Sequence, residues 1–180
     1  LKNLLKIILS LSLLNFVALS FINLSAEASK KTSYLMNKKK LYTYYRYSSD
    51  TITVKFKQKT SYGYDEWVNK DNVPCFAYKE TKKGLYDSFR TKIISYPVKK
   101  GKVWYNDNYK FKIIDSKKTI KTKAGIFKNV VVVKISDSIG KDYRVNYYAP
   151  NVGTILSSRA DKSTNYKVKK DYVLIKLKSK

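Results

Sequence analysis

Apolar residues return at every second position through most of this chain, and that period selects strand over helix. Ile52, Val54 and Phe56 alternate with Thr53, Lys55 and Lys57; Tyr109, Phe111 and Ile113 alternate with Lys110, Lys112 and Ile114. Successive side chains of a strand point to opposite faces, so the pattern describes half-buried strands with lysines on the wet side. Tyr172, Leu174 and Leu177 follow a looser version of it. Tyr, Val, Ile, Thr and Phe dominate, the residues that fit a pleated surface. Val130-Val131-Val132-Val133 lacks alternation and reads as a central strand buried on both faces.

Turn signals punctuate these runs at Lys83-Gly84, Lys100-Gly101, Asn106-Asp107-Asn108, Ile139-Gly140 and Pro150-Asn151-Val152-Gly153. Short strands so spaced predict a mainly β fold: a single antiparallel sheet, as a meander or curved half-barrel, of about nine or ten strands. Residues 109–115 and 118–123 read as separate segments, and residues 80–88 are the least strand-like stretch, where a helical turn could hide.

The front of the chain has a different character. Lys2 and Lys6 precede an apolar run over 7–22, and Ala26-Glu27-Ala28 supplies a small-x-small cleavage pattern. Residues 1–28 are therefore expected to be a cleaved signal helix; the apolar run is short for a membrane span. Residues 29–33 read as a short basic linker and 34–180 as a single β-rich domain. With Cys75 the only cysteine, an intramolecular disulfide is impossible, and an exported domain must then rely on its core. Such cysteine avoidance is common outside Gram-positive cells. Cys75 itself, within Val73-Pro74-Cys75-Phe76-Ala77, reads as a small buried apolar residue.

Charge narrows the choice of partner. The chain carries 38 Lys and Arg against 13 Asp and Glu, a formal net charge of +25. An AT-rich gene would enrich lysine, but acidic codons about as much, so base composition leaves the imbalance unexplained. A positive field of this size must be screened by salt or by anionic neighbours. Within strands the lysines fall on shared faces: Lys55 with Lys57 and Lys59, Lys110 with Lys112, Lys121 with Lys123, Lys167 with Lys169, and Lys176 with Lys178. The expected polyanion-binding face comprises Lys55, Lys57, Lys110, Lys112, Lys121 and Lys123, provided their strands are neighbours. An anionic cell-wall polymer or an anionic membrane surface is the expected partner. No nucleic-acid-binding module is recognisable.

Catalytic chemistry has little to draw on. The absence of histidine removes Ser-His-Asp and Cys-His catalysis and the commonest zinc ligand, so no metal, cofactor or catalytic residue is expected. Ser138-Ile139-Gly140-Lys141 matches Ser-x-x-Lys, but in a glycine-containing turn instead of the helix that pair requires. Paired carboxylates can hydrolyse glycosides, yet no spacing singles out a pair among Asp65, Glu66, Glu80, Asp87, Asp115, Asp137, Asp142, Asp161 and Asp171. Tyr42, Tyr44, Tyr45 and Tyr47 crowd one segment; Tyr44 and Tyr45 must face opposite sides, which places one of them outside the core.

Three stretches occur in a suggestive order. Tyr96-Pro97-Val98-Lys99-Lys100-Gly101-Lys102-Val103-Trp104 precedes Thr122-Lys123-Ala124-Gly125-Ile126-Phe127-Lys128-Asn129-Val130, and Tyr147-Tyr148-Ala149-Pro150-Asn151-Val152-Gly153 follows. Over about 94–158 this resembles bacterial secreted and lipoprotein-type β-sheet domains, distantly like lipoprotein-carrier folds. The resemblance implies an open curved antiparallel sheet and an apolar cavity; the residues themselves agree, since Gly125 between two strands suits a conformation other residues avoid, Phe127 can plug the core and Asn129 can bond turn backbone. The chain departs from many such domains in its high charge and in lacking a lipobox. The leading expectation is a secreted, non-enzymatic, strongly basic protein held at the envelope by charge. The alternatives are a carrier with an apolar pocket inside the sheet and an extracellular partner-binding accessory protein.

Overall fold

The computed structural model describes residues 32–47, 50–137, 142–165 and 167–180. The expected signal helix, most of the linker and the Ser-x-x-Lys stretch lie outside the described residues. The β unit spans Ser33–Lys180. Its strands are β1 (Lys40–Arg46), β2 (Thr51–Lys59), β3 (Asp65–Val68), β4 (Pro74–Thr81), β5 (Gly84–Asp87), β6 (Lys92–Ser95), β7 (Val103–Asn106), β8 (Tyr109–Thr122), β9 (Gly125–Asp137), β10 (Tyr143–Ala149), β11 (Gly153–Ala160) and β12 (Lys169–Ser179), with one 3-10 turn at Lys162–Thr164. All belong to one sheet, ordered β6-β5-β4-β3-β2-β1-β12-β11-β10-β9-β8-β7. Two meanders, β1 to β6 and β7 to β12, are thus joined by the antiparallel pairing of β1 with β12.

The sheet curls until its two edges meet. The Trp104 indole on β7 donates to the Lys92 carbonyl on β6 at 2.7 Å. Lys102 Nζ donates to the Tyr96 carbonyl at 2.6 Å nearby. The edges are not hydrogen-bonded as strands, so the mainly antiparallel curved sheet is a nearly closed barrel.

Several local expectations need correction. There are twelve strands instead of nine or ten. Residues 80–88 form the β4–β5 hairpin and no helical turn. Gly84 makes that hairpin fit: a Cβ there would stand 2.1 Å from the Ile94 carbonyl oxygen of β6. Residues 109–115 and 118–122 belong to one strand, β8, whose register shifts three times against β9, and Lys123 is in the turn that follows. Asn129 lies inside β9 with φ 54°, a bulge position and not a turn. Cys75 is half-buried, not buried.

Aromatic rings fill the interior. Trp67, Tyr42, Tyr44 and Tyr148 are almost completely buried, with residues 130–133 of β9 as an unbroken buried run. Tyr44 and Tyr45 face opposite sides: Tyr44 is 1% exposed and Tyr45 44%. The buried hydroxyls are bonded. Tyr44 donates to the Thr154 carbonyl at 2.8 Å, Tyr42 accepts from the Asn37 amide at 2.6 Å, and Ser157 donates to Asn146, whose amide donates to Tyr148. Burial pushes the phenols of Tyr42 and Tyr172 up to about 12, and those of Tyr44, Tyr78 and Tyr148 up as well.

An antiparallel meander places alternate turns at opposite ends. Turns after β1, β3, β5, β7, β9 and β11 define an upper end. The remaining turns, the β6–β7 link, the segment leading into β1 and the end of β12 define a lower end. Two pieces close the lower end. Tyr34 and Met36 of the leading segment are buried there, and Gly153 admits them: a Cβ would meet Met36 Cγ at 2.6 Å. The second piece is the far half of the β8–β9 hairpin. β7 pairs with β8 only as far as Lys112, and β10 with β9 only as far as Val131, so residues 114–130 form a two-stranded arm. Its bulges bend it, as bulges do. Ile120, Ala124 and Phe127 pack on the core, and β8 touches β12 although three strands separate them in the sheet.

Candidate anion-binding surface

Strand parity sends the lysines outward as expected, while strand order decides which meet. Lys55, Lys57, Lys110, Lys112, Lys121 and Lys123 are all exposed. Lys55 and Lys57 lie on β2 and Lys110 and Lys112 on β8, six positions apart along a nearly closed twelve-strand sheet. The two pairs therefore stand on opposite sides of the barrel. Lys110 and Lys112 sit toward the upper end of β8. Lys121 ends the arm and Lys123 is in its turn, both at the lower end.

New neighbours complete the β2 pair. In register, Leu41 of β1 lies between Lys178 of β12 and Lys55 of β2, and Thr43 lies between Lys176 and Thr53. With strands about 4.8 Å apart, Lys55 and Lys178 are separated by roughly 10 Å. Below this row, a hollow of about 460 Å³ is lined by Asn37, Lys38, Lys39, Lys40, Ser179 and Lys180. Lys180 Nζ donates to the Phe56 carbonyl at 3.1 Å, and Lys38 Nζ stands 4.8 Å from the centre of the Phe56 ring. The arm adds Lys117, Lys118, Lys121, Lys123 and Lys128, all exposed. Lysines thus gather at the closed lower end, around the edges of β12, β1 and β2 and along the arm.

Ion pairing accentuates this asymmetry. The four arginines, Arg46, Arg90, Arg144 and Arg159, all lie at the upper end, in or beside its turns. Three of them are paired: Arg46 with Asp50, Arg144 with Asp171 at 3.5 Å, and Arg159 with Asp171 at 3.0 Å and Asp161 at 3.7 Å. Among the described residues the ion pairs seen engage one lysine, Lys38, at 2.7 Å from buried Asp65. Guanidinium suits fixed bidentate pairing, whereas ammonium is a mobile point charge. The upper rim is knitted together by arginine, and the lower end presents exposed lysine, with Lys38 the one seen in an ion pair.

The acidic residues have structural partners. Glu80 accepts from the Tyr34 amide at 3.1 Å and from the Tyr96 hydroxyl. Asp87 accepts from the Phe89 and Thr91 amides, each at 3.0 Å, while its own burial pushes its carboxyl up. Asp161 caps the 3-10 turn, and the Ser163 hydroxyl that it accepts holds its carboxyl below the usual range.

Sequence parity could not reveal Lys38, Lys39, Lys40 and Lys180 as part of the surface, because Lys38, Lys39 and Lys180 flank strands, Lys40 begins one, and all four come together only through the β1–β12 pairing. The available signal was the density of lysine at both ends of the β region.

No family model matches the chain, and no curated protein matches it. Two solved structures resemble it in fold. One, from Bacteroides fragilis, is named as an exported protein with a YmcC-like fold; it is 14% identical, with 82% of this chain and 100% of that chain covered, at a TM-score of 0.46. The other, from Parabacteroides distasonis, is named as a lipoprotein; it is 14% identical, with 82% of this chain and 99% of that chain covered, at a TM-score of 0.44.

Proposed function

We propose that this is an exported, non-enzymatic protein that associates with anionic cell-envelope polymers through its lysine-rich lower end. The observation that carries this reading is the concentration of exposed lysines there, on three adjacent strands and the arm, in a chain of net charge +25. Flexible ammonium groups on an exposed surface suit a polymer of repeating phosphates, which needs many weak contacts and no fixed geometry. The signal-like residues 1–28 support export. The structural employment of Glu80, Asp87, Asp161 and Asp171 supports a binding role over carboxylate catalysis.

Such association is a counterion-release process and falls steeply with salt. The test is retention of the mature protein on isolated cell walls across a salt series. Retention should drop progressively as salt rises. Unchanged retention at high salt would remove charge as the cause.

A further inference from the structure

The upper end is open where the lower end is closed. A cavity of about 690 Å³ lies between β1, β2 and the β3–β4 loop, within the size range of small-molecule sites. Ile52, Phe76 and Tyr172 supply apolar surface, and Tyr44 lies beneath, its ring centre 5.4 Å from that of Phe76 and 5.7 Å from that of Tyr172. Thr51 and Asn69 bring hydroxyl and amide groups to the same cavity; Thr53 borders it as well, but its hydroxyl is bonded to that of Thr43, 2.9 Å away. Its charges are balanced: Arg46 Nε is bonded to Asp50 at 2.9 Å, and Lys70 is matched by Asp71 on the same wall.

Balance is unusual in so basic a chain, and it argues against an anion as the occupant. A fatty acyl chain is also a poor fit, because burying methylenes beside hydroxyl, amide and charged groups wastes the polar groups' hydration. A ring with one apolar face and a rim of hydroxyls matches both halves of the lining. We propose that the upper mouth binds an uncharged sugar ring, with Phe76 and Tyr172 under its apolar face and Thr51 and Asn69 toward its hydroxyls. This site lies at the opposite end from the lysine surface and does not depend on it.

Cys75 lines the same cavity and is the only cysteine, so its thiol reports occupancy directly. The experiment follows the rate at which a small thiol reagent labels Cys75 in the mature protein, alone and with chitotetraose, maltotetraose, glucose 6-phosphate or laurate. One of the two neutral oligosaccharides should slow labelling roughly tenfold at ten times its dissociation constant. Phe76→Leu keeps apolar bulk but removes the ring, and should abolish the protection while leaving salt-dependent retention on walls intact. Three results would overturn the proposal: protection by laurate alone, stronger protection by the sugar phosphate than by either neutral sugar, or no protection by either neutral sugar. Protection that survives in the Phe76→Leu protein would also overturn it.

Discussion

Replacing Lys39, Lys57, Lys178 and Lys180 together by glutamine will weaken binding to a polyphosphodiester wall polymer by on the order of a hundredfold to a thousandfold, taking about 1 kcal/mol for each cation near an anionic surface. Lys57 is on β2, Lys178 is on β12, and Lys39 and Lys180 line the hollow between the ends of those strands. All four are exposed, and surface substitutions of this kind usually change stability by within about 0.5 kcal/mol. The fold should therefore survive. A matched variant with Lys110, Lys112, Lys162 and Lys169 changed to glutamine removes the same charge from the upper half, and should lose about tenfold or less through the weakened long-range field. Binding isotherms at one fixed salt concentration compare the two. Equal losses would mean that net charge, and not its placement, governs association.

Trp67→Ala will produce the largest loss of stability, about 3–5 kcal/mol. Trp67 is completely buried on β3, against Phe56 at 5.6 Å and Tyr78 at 6.2 Å between ring centres. Removing the indole opens a cavity in a wall made of other rings, which cannot easily collapse. Trp67→Phe should cost far less, because the Trp67 indole N–H has no protein hydrogen-bond partner to lose. Urea unfolding checks both: the midpoint should fall strongly for alanine and slightly for phenylalanine, with the slope unchanged. A small midpoint shift for alanine would contradict a close-packed aromatic interior.

Much of the fold was legible because period two is a direct consequence of strand geometry. The looser Leu174 to Leu177 spacing also has a cause: the register with β1 shifts between Thr43 and Tyr44, so that Thr43 faces Lys176 while Tyr44 faces Leu174. A bulge there puts Leu174 and Leu177 on the same face. The β4–β5 hairpin was not legible, because its fit depends on the close approach of Ile94 to Gly84, a tertiary fact. The arm was not legible either: its bulges break the alternation after Ile113 and make one strand look like two.

The candidate surface was half legible. Parity placed each lysine on the outside, but only strand order could show that Lys55 faces Lys178 across Leu41 of β1, and that Lys110 and Lys112 lie on the far side. The pairing of β1 with β12 joins residues more than a hundred positions apart in sequence, beyond the reach of any local pattern.

Amine-reactive footprinting with the wall polymer bound tests the placement most directly. Lys39, Lys57, Lys121, Lys123 and Lys178 should become protected, while Lys110 and Lys162 react as fast as in the free protein. Protection spread evenly over the barrel, or strongest around the upper turns, would contradict binding through the closed, lysine-bearing end.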